Sequence, residues 1–197
     1  MGISILAGCD NEKQQIFKEA QKDLEQGSYD YALDEFTTSV NNGVNLADSY
    51  RGIGICQLRF GNYEDAITAF SNALDTENVS KAMARDLYLY RATARLQAGQ
   101  PEAAMADCQV LAQNYDMDAD SWFLTGKVAL AMDGYDEASS DFEQAYGEDS
   151  SYDRAIQIYE TYLEKDMEAD GTRYLEAVLS TEAKGADDLC ERGRIYY

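Results

Sequence analysis

A short pattern returns four times along this 197-residue chain and restricts the folds that the chain can adopt. Each copy begins with a glycine and reaches an alanine four or five residues later, and three copies continue to a phenylalanine one helical turn further on. The alanines lie 34, 38 and 34 residues apart: Ala32, Ala66, Ala104 and Ala138. A fixed period of this length is typical of repeat arrays, in which each unit buries its apolar face on the next. The sequence therefore predicts one continuous array instead of separate globular domains.

The pattern resembles the tetratricopeptide repeat (TPR) family, whose unit is a helix-turn-helix of about 34 residues. Tyr50, Tyr88 and Trp122 stand where that family favours tryptophan. Aligning the alanines predicts four repeats, a divergent fifth and a terminal half repeat: 13–46, 47–80, 85–118, 119–152, 153–185 and 186–197. The third repeat follows a four-residue insertion near residues 77–81. The resemblance implies an all-α fold, a right-handed α-solenoid of about five repeats plus a terminal helix.

Small residues stand where the two helices of one unit have to approach closely. On the first helices they are Gly54, Ala92 and Gly126, and the four alanines above face them from the second helices. Phenylalanines are expected to fill the space between adjacent units: Phe36, Phe70 and Phe142. Three glycines are predicted to adopt the left-handed conformation at a helix end, where a side chain would be strained: Gly27, Gly61 and Gly99.

The charge of the chain restricts its partners. With 37 acidic and 16 basic residues, the formal net charge is −21. A polyphosphate would be repelled, so nucleic acid is excluded as a partner. The acidity suits a basic protein or peptide partner, and more simply it suits the solubility of a large helical surface.

The sequence predicts no enzyme, no metal site and no cofactor. It contains no histidine, which excludes a Ser–His or Cys–His nucleophile, and it lacks the glycine-rich phosphate-binding motifs. Three cysteines within helical stretches are predicted to be small buried hydrophobic residues: Cys56, Cys108 and Cys190. The stretch from Asp166 to Gly171 imitates a calcium loop, but Ala177 stands where the loop needs its closing acid.

The first residues differ from the rest of the chain. Leu6-Ala7-Gly8-Cys9 resembles the lipobox of bacterial lipoproteins, where the chain is cut before a cysteine whose sulfur is then acylated. The resemblance implies that residues 1–11 are the remnant of a signal and anchor, followed by the array over 12–197. Cys9 would be the lipid attachment site, on the outer side of the cytoplasmic membrane of a bacterial cell envelope. Because no basic segment precedes the motif, a cytoplasmic location is the alternative, and no apolar run is long enough to span a membrane.

The family resemblance also implies a ligand groove lined by the first helix of each unit. The candidate groove residues are Phe17, Gln21, Arg51, Ile55, Arg59, Leu89, Tyr90, Thr93, Phe123 and Lys127. Their cations are expected to meet carboxylates or carbonyls, and their rings to offer apolar sockets. The alternative is that the apolar members only pack between helices and that the cations are solvated partners of Asp48 and Asp86. A chaperone-type clamp for a C-terminal carboxylate is not expected, because Gly52 stands at one of its asparagine positions.

These observations predict a non-enzymatic scaffold lipoprotein that binds a protein or peptide, of unknown identity, through its concave groove. The helix expected near Leu189 has no second helix to cover it. This predicts that the natural chain continues or that copies associate end to end, and the chain is expected to be a monomer or to associate only weakly in this way. A structural assembly module, or the docking arm of a larger protein, is therefore the alternative function.

Overall fold

The described chain in this computed structural model consists of α-helices joined by short turns. The backbone is described for residues 3–77, 79–180 and 185–195, and the side chains for 11–77, 79–180, 185 and 189–194. The helices are α1 (Ile3–Glu25), α2 (Tyr29–Asn41), α3 (Leu46–Arg59), α4 (Tyr63–Leu74), α5 (Lys81–Gln97), α6 (Pro101–Asn114), α7 (Ala119–Ala131), α8 (Tyr135–Glu148), α9 (Tyr152–Leu163), α10 (Glu168–Leu179) and α11 (Ala186–Ile195). No strand occurs in these ranges, so the predicted all-α class is confirmed.

Consecutive helices pack as pairs: α1 on α2, α3 on α4, α5 on α6, α7 on α8 and α9 on α10. The turn inside each pair contains one residue with a positive φ, between 58° and 76°: Gly27, Gly61, Gly99, Asp133 and Asp166. The three glycines adopt the left-handed conformation predicted for them. Two aspartates take the same conformation in the later pairs, where no glycine stands at the equivalent position.

The chain divides into two compact units, Met1–Tyr115 and Asp116–Tyr197. We call them unit 1, which contains α1 to α6, and unit 2, which contains α7 to α11.

In unit 1, phenylalanine rings lie against glycines of α3 from both neighbouring helices. A Cβ atom added to Gly52 would lie 2.3 Å from the ring of Phe36 in α2, and one added to Gly54 would lie 2.4 Å from the ring of Phe70 in α4. Both rings are buried. The absence of a side chain on α3 therefore creates the space that each ring fills.

Unit 2 repeats this packing with a different set of residues. A Cβ on Gly126 of α7 would lie 2.7 Å from the buried Phe142 ring, which packs edge-on against Tyr162 of α9 at 5.2 Å between centroids. In the last pair, Gly171 takes the place in α10 that Ala138 has in α8, four residues into the helix. A Cβ there would lie 2.9 Å from the Tyr159 Cα. The stretch that imitates a calcium loop is thus a turn and a helix start.

Near the insertion before the third repeat, the connection leads into an unusually long helix. Helix α5 has 17 residues, whereas the equivalent helices α3 and α7 have 14 and 13. Ser80 caps its start by accepting a hydrogen bond from the Met83 amide at 3.1 Å. Helix α5 is therefore longer than α3 and α7 by about one turn.

Two of the three predicted buried cysteines are confirmed. Cys56 and Cys108 are buried, and burial raises the pKa of the Cys56 thiol to about 11. The prediction for Cys190 is wrong, because its thiol is exposed. Cys190 and the adjacent Leu189 lie on a face of α11 that no other described helix covers.

The predicted lipid attachment site stays a prediction. Cys9 falls in the first turns of α1, and its side chain lies outside the described residues. Among the described helices, none combines the length and the apolar character needed to cross a membrane.

Candidate functional site

The predicted groove residues fall into two sets, one in each unit. Unit 1 contains those on α1, α3 and α5: Phe17, Gln21, Arg51, Ile55, Arg59, Leu89, Tyr90 and Thr93. Unit 2 contains the two on α7: Phe123 and Lys127.

Not every predicted side chain in unit 1 is free to meet a ligand. The Phe17 ring is only 6% exposed and packs edge-on against Phe36, 6.0 Å between centroids. Ile55 lies half-buried against the core that contains Phe70. The Thr93 hydroxyl donates a hydrogen bond to the Leu89 carbonyl at 2.9 Å. Phe17 and Ile55 therefore contribute to packing, and the Thr93 hydroxyl is bonded within its own helix.

Arg51 is held in place by two partners from α5. Its Nη2 lies 3.5 Å from Asp86 Oδ2, and its guanidinium lies over the Tyr90 ring, 5.3 Å from the centroid. The Tyr90 ring in turn stacks on buried Phe70, with centroids 5.5 Å apart and planes inclined by 14°. The Arg51–Tyr90 pair is therefore fixed by packing without any ligand, and the Arg51 side chain remains 30% exposed.

Arg59 points elsewhere. It is exposed, and its guanidinium lies 5.9 Å from the centroid of the Tyr29 ring, near the turn between α1 and α2. Phe60 packs edge-on against the same ring at 6.4 Å. Arg59 therefore belongs to an aromatic cluster near the turns and not to the Arg51–Tyr90 pair.

A small cavity opens beside Arg51, with a volume of about 160 Å³. Its lining comes from α1, α2 and α3: Gln21, Leu24, Glu25, Phe36, Asp48, Arg51 and Gly52. Because Phe36 occupies the space in front of Gly52, a side chain at position 52 would clash with the ring. This gives a steric reason why the asparagine of a chaperone-type clamp does not fit here.

A buried charged cluster in unit 1 was missed by sequence reasoning. The Asp107 carboxylate is 3% exposed and accepts two hydrogen bonds from Arg91, at 2.7 and 3.0 Å. It also forms an ion pair with Arg95 at 2.7 Å. Arg91 also donates to Ser71 Oγ at 3.0 Å. The only available signal was the spacing of Arg91 and Arg95, which are one helical turn apart on α5. Because Asp107 and both arginines have partners within the cluster, we assign the cluster a structural role.

In unit 2 the ring of Phe123 is flanked by two cations. Lys127 Nζ lies 5.6 Å from the ring centroid and the Arg154 guanidinium lies 4.8 Å from it. Phe123 also packs on Phe142, with centroids 5.8 Å apart. The Lys127 ammonium forms no ion pair within the part of the chain that the structure describes. Phe123 and Lys127, both predicted from the sequence, thus do lie together.

Arg154 was not predicted, and it holds this patch in place. The residue is 6% exposed, and its guanidinium pairs with Asp120 and lies 3.6 Å from an Asp149 carboxylate oxygen. It also donates to Gln157 at 2.9 Å. Its partner Asp120 lies 34 residues earlier, on the equivalent helix of the preceding pair. In the sequence, only this separation by one repeat period pointed to the Arg154–Asp120 pair.

Comparison with known proteins identifies the family. A family model described as the tetratricopeptide repeat matches residues 17–75 and 52–121, which together cover more than half of the 197 residues. The chain therefore belongs to the TPR family. A curated relative, the DnaJ homolog subfamily C member 7 homolog of Schizosaccharomyces pombe, is 33% identical over 113 residues, covering 55% of this chain and 23% of that protein. The chain thus spans about a quarter of the length of this relative.

Solved structures show the same fold. MamA from Desulfovibrio magneticus RS-1 is similar with a TM-score of 0.69 and 17% identity, over 85% of this chain and 93% of that one. TTC0263, a thermophilic TPR protein of Thermus thermophilus, gives 0.65 and 15%, over 93% and 98%. YrrB, described as a TPR protein with an unusual peptide-binding site, gives 0.63 and 21%, over 87% and 88%. These likenesses confirm the predicted TPR solenoid fold.

Proposed function

We propose that this chain is a non-enzymatic scaffold that binds a protein or peptide on the exposed faces of the first helices of its pairs. The observation that supports this most is the Arg51–Tyr90 pair, which is held by Asp86 and Phe70 before any ligand arrives. A preformed surface loses little conformational entropy on binding. Members of the TPR family generally act as scaffolds, and the similar fold of YrrB is described as having a peptide-binding site.

The test begins with selection of peptides from a random display library on the folded chain. The affinity of a selected peptide is then measured for Arg51→Glu and Lys127→Glu, one variant in each unit. We expect at least one of the two variants to weaken binding by about tenfold or more. In such a variant, the contact of the cation with a carboxylate or carbonyl of the peptide is replaced by repulsion between that group and the new glutamate. Lys165→Glu is the matched control: it makes the same charge change in the turn before α10 and should alter affinity by less than about twofold.

Two results would contradict the proposal. One is the failure of the folded chain to enrich any peptide. The other is a selected peptide whose affinity is unchanged by both groove variants but lost when a second helix is altered, as in Glu143→Lys on α8.

For the location, the proposal is a lipid-anchored protein on the outer side of a bacterial cytoplasmic membrane, with a cytoplasmic protein as the alternative. Its support is the Leu6-Ala7-Gly8-Cys9 motif, followed directly by polar residues. Mass spectrometry of the mature N-terminus, after expression of the natural precursor in a bacterium, is the test. We expect an acylated Cys9 as the first residue, and loss of membrane association in Cys9→Ala. An intact, unmodified Met1 on the cellular protein would overturn this part.

A second candidate function is assembly through α11. The observation that favours it is the 62% exposed Leu189 on the uncovered face of that helix. A second copy would cover this apolar surface. Light scattering at rising concentration tests the idea: we expect mass to increase with concentration in the native chain and not in Leu189→Glu. A native chain that remains monomeric at millimolar concentration would exclude it.

A further inference from the structure

The cavity beside Gly52 has the size of a single side chain. A cavity of about 150 Å³ in a protein core accepts a benzene-sized molecule, and this one measures about 160 Å³. It therefore admits one peptide side chain and not a folded segment. The Phe36 ring and the Leu24 side chain provide its apolar surface.

The charged groups around this cavity are not balanced. Arg51 is the cation among the described residues that line it, and that guanidinium is already drawn to Asp86 and to the Tyr90 ring on α5. Glu25 and Asp48 bring two carboxylates, and neither forms an ion pair within the described part of the chain. The cavity thus presents two carboxylates that its lining cation, Arg51, does not pair with.

We propose that this cavity binds a lysine or arginine side chain of the peptide ligand, an inference that rests on the proposed function and specifies its ligand. The aliphatic stem lies along Phe36 and Leu24, and the charged head lies between Glu25 and Asp48.

Charge selects this occupant over the others. A purely apolar side chain would exclude water from Glu25 and Asp48 without giving either carboxylate a partner, which is unfavourable. An acidic side chain would be repelled by both. At long range, the net charge of −21 attracts a basic peptide and raises its association rate.

The experiment is an NMR titration of the isotope-labelled full chain with two small probes. Nα-acetyl-lysine N-methylamide carries the charge, and Nα-acetyl-norleucine N-methylamide has the same backbone and a similar stem without it. Such small ligands bind at millimolar concentration at best. We expect the lysine probe, and not the norleucine probe, to shift the signals of Gln21, Leu24 and Gly52.

Two matched variants locate the charge contact. Asp48 and Asp65 are each the third residue of a helix, α3 and α4, so each replacement by asparagine removes one carboxylate at an equivalent helix end. Asp48→Asn should weaken binding of the lysine probe by about fivefold or more, and Asp65→Asn by less than about twofold. If Asp48→Asn changes the circular dichroism of the chain, Glu25→Gln takes its place.

Three results would overturn this inference: equal binding of both probes, equal loss of affinity in Asp48→Asn and Asp65→Asn, or the absence of localised shifts at the highest probe concentration. None of these results removes the proposed function, because a library-selected peptide can still depend on Arg51 or Lys127. Conversely, a chain that selects no peptide but shows these lysine-specific shifts would retain the basic-side-chain site and lose the scaffold proposal.

Discussion

The turns inside the helix pairs have the same backbone conformation in both units but are made from different residues. The residue with positive φ is Gly27, Gly61 or Gly99 in unit 1 and Asp133 or Asp166 in unit 2. Aspartate tolerates the left-handed conformation better than most residues, yet at a free-energy cost that glycine does not have. Packing of the pair therefore sets the conformation of the turn, and glycine only makes that conformation less costly.

The close contact inside each pair shows the same contrast. Alanines provide it in the pairs of unit 1 and in α7–α8, whereas Gly171 provides it between α9 and α10. The family model matches only as far as residue 121, and α9 and α10, where the alanine is replaced, still form a helix pair. The geometry persists where the residues that usually signal it have changed.

The arginines that pair with buried or nearby carboxylates also differ between the units. In unit 1, Arg91 and Arg95 share Asp107 within the α5–α6 pair. In unit 2, Arg154 joins two pairs, since it lies on α9 and contacts Asp120 and Phe123 of α7. Arg91 also donates to Ser71 of α4, so both arrangements link one pair to the next, around a buried carboxylate in unit 1 and around a buried arginine in unit 2.

The largest loss of stability is expected when a buried ring is removed from a helix pair in either unit. Phe70→Ala and Phe142→Ala should each lower the free energy of unfolding by about 3–5 kcal/mol, because both rings are fully buried and leave cavities. Phe60→Ala, at a partly exposed ring, is the control and should cost about 1 kcal/mol or less. Urea denaturation gives the values, and a small loss for Phe142→Ala alone would show that unit 2 is packed differently.

The next largest loss of stability is expected when a carboxylate that forms an ion pair with arginine is removed, and Asp107 and Asp120 can be compared in this respect. Asp107→Asn leaves two largely buried guanidinium groups without their anion and should cost about 3 kcal/mol. Asp120→Asn removes a carboxylate that is 70% exposed and leaves the buried Arg154 with Asp149 and Gln157 as partners, so it should cost no more than about 1 kcal/mol. Thermal unfolding of both variants checks the order. Equal losses would mean that burial does not separate the two sites.

A smaller effect of opposite sign is expected in the turns. Gly61→Ala forces a side chain into a conformation with φ of 76° and should destabilise the chain by about 1 kcal/mol. Asp166→Gly relieves that strain and should stabilise by about 0.5 kcal/mol, less than the strain itself because glycine gains freedom in the unfolded chain. Chemical denaturation of both variants measures the difference. A loss of stability in Asp166→Gly would show that its side chain is needed.

The smallest effect depends on pH. Burial, and then the nearby Glu137 charge, raise the pKa of Asp141 from its ordinary 3.8 to about 6. Between about pH 4 and 6 the unfolded chain ionises this group first, so its contribution to stability decreases as the pH rises. Asp141→Asn should therefore unfold at a higher temperature than the native chain at pH 7 and at the same temperature below pH 4. Asp136→Asn, an exposed acid of the same helix, should not show this pH dependence.

Much of the fold could be predicted because its contacts lie close in sequence or recur with one period. Gly54, Gly126 and the alanines fall at the helix crossings that their spacing predicts. The exposure of Cys190 could not be predicted, since it depends on whether another helix covers α11. The positive φ of Asp166 could not be predicted either, because the packing of the α9–α10 pair imposes it and the residue's own preference does not.

The candidate site was less predictable. Phe123 and Lys127, both candidates from the sequence, lie one turn apart on α7 and contact each other in the structure. The spacing could not show that Phe17 points into the core, because a ring suits both a groove and a core. Asp86 was named from the sequence as an alternative partner for the groove cations, and Arg51 does pair with it. The pairing of Arg154 with Asp120 depends on how neighbouring pairs stack, and one sequence does not reveal that geometry.

The central claim is that both units place a ring against a side-chain-free glycine in the same way. The most direct measurement is the nuclear Overhauser effect between glycine Hα and phenylalanine ring protons in an isotope-labelled sample. We predict strong cross-peaks for Gly54 with Phe70 and for Gly126 with Phe142, since the nearest ring carbons lie within 2.7 Å of the positions that Cβ atoms would occupy. A strong first cross-peak with no second one would contradict the claim.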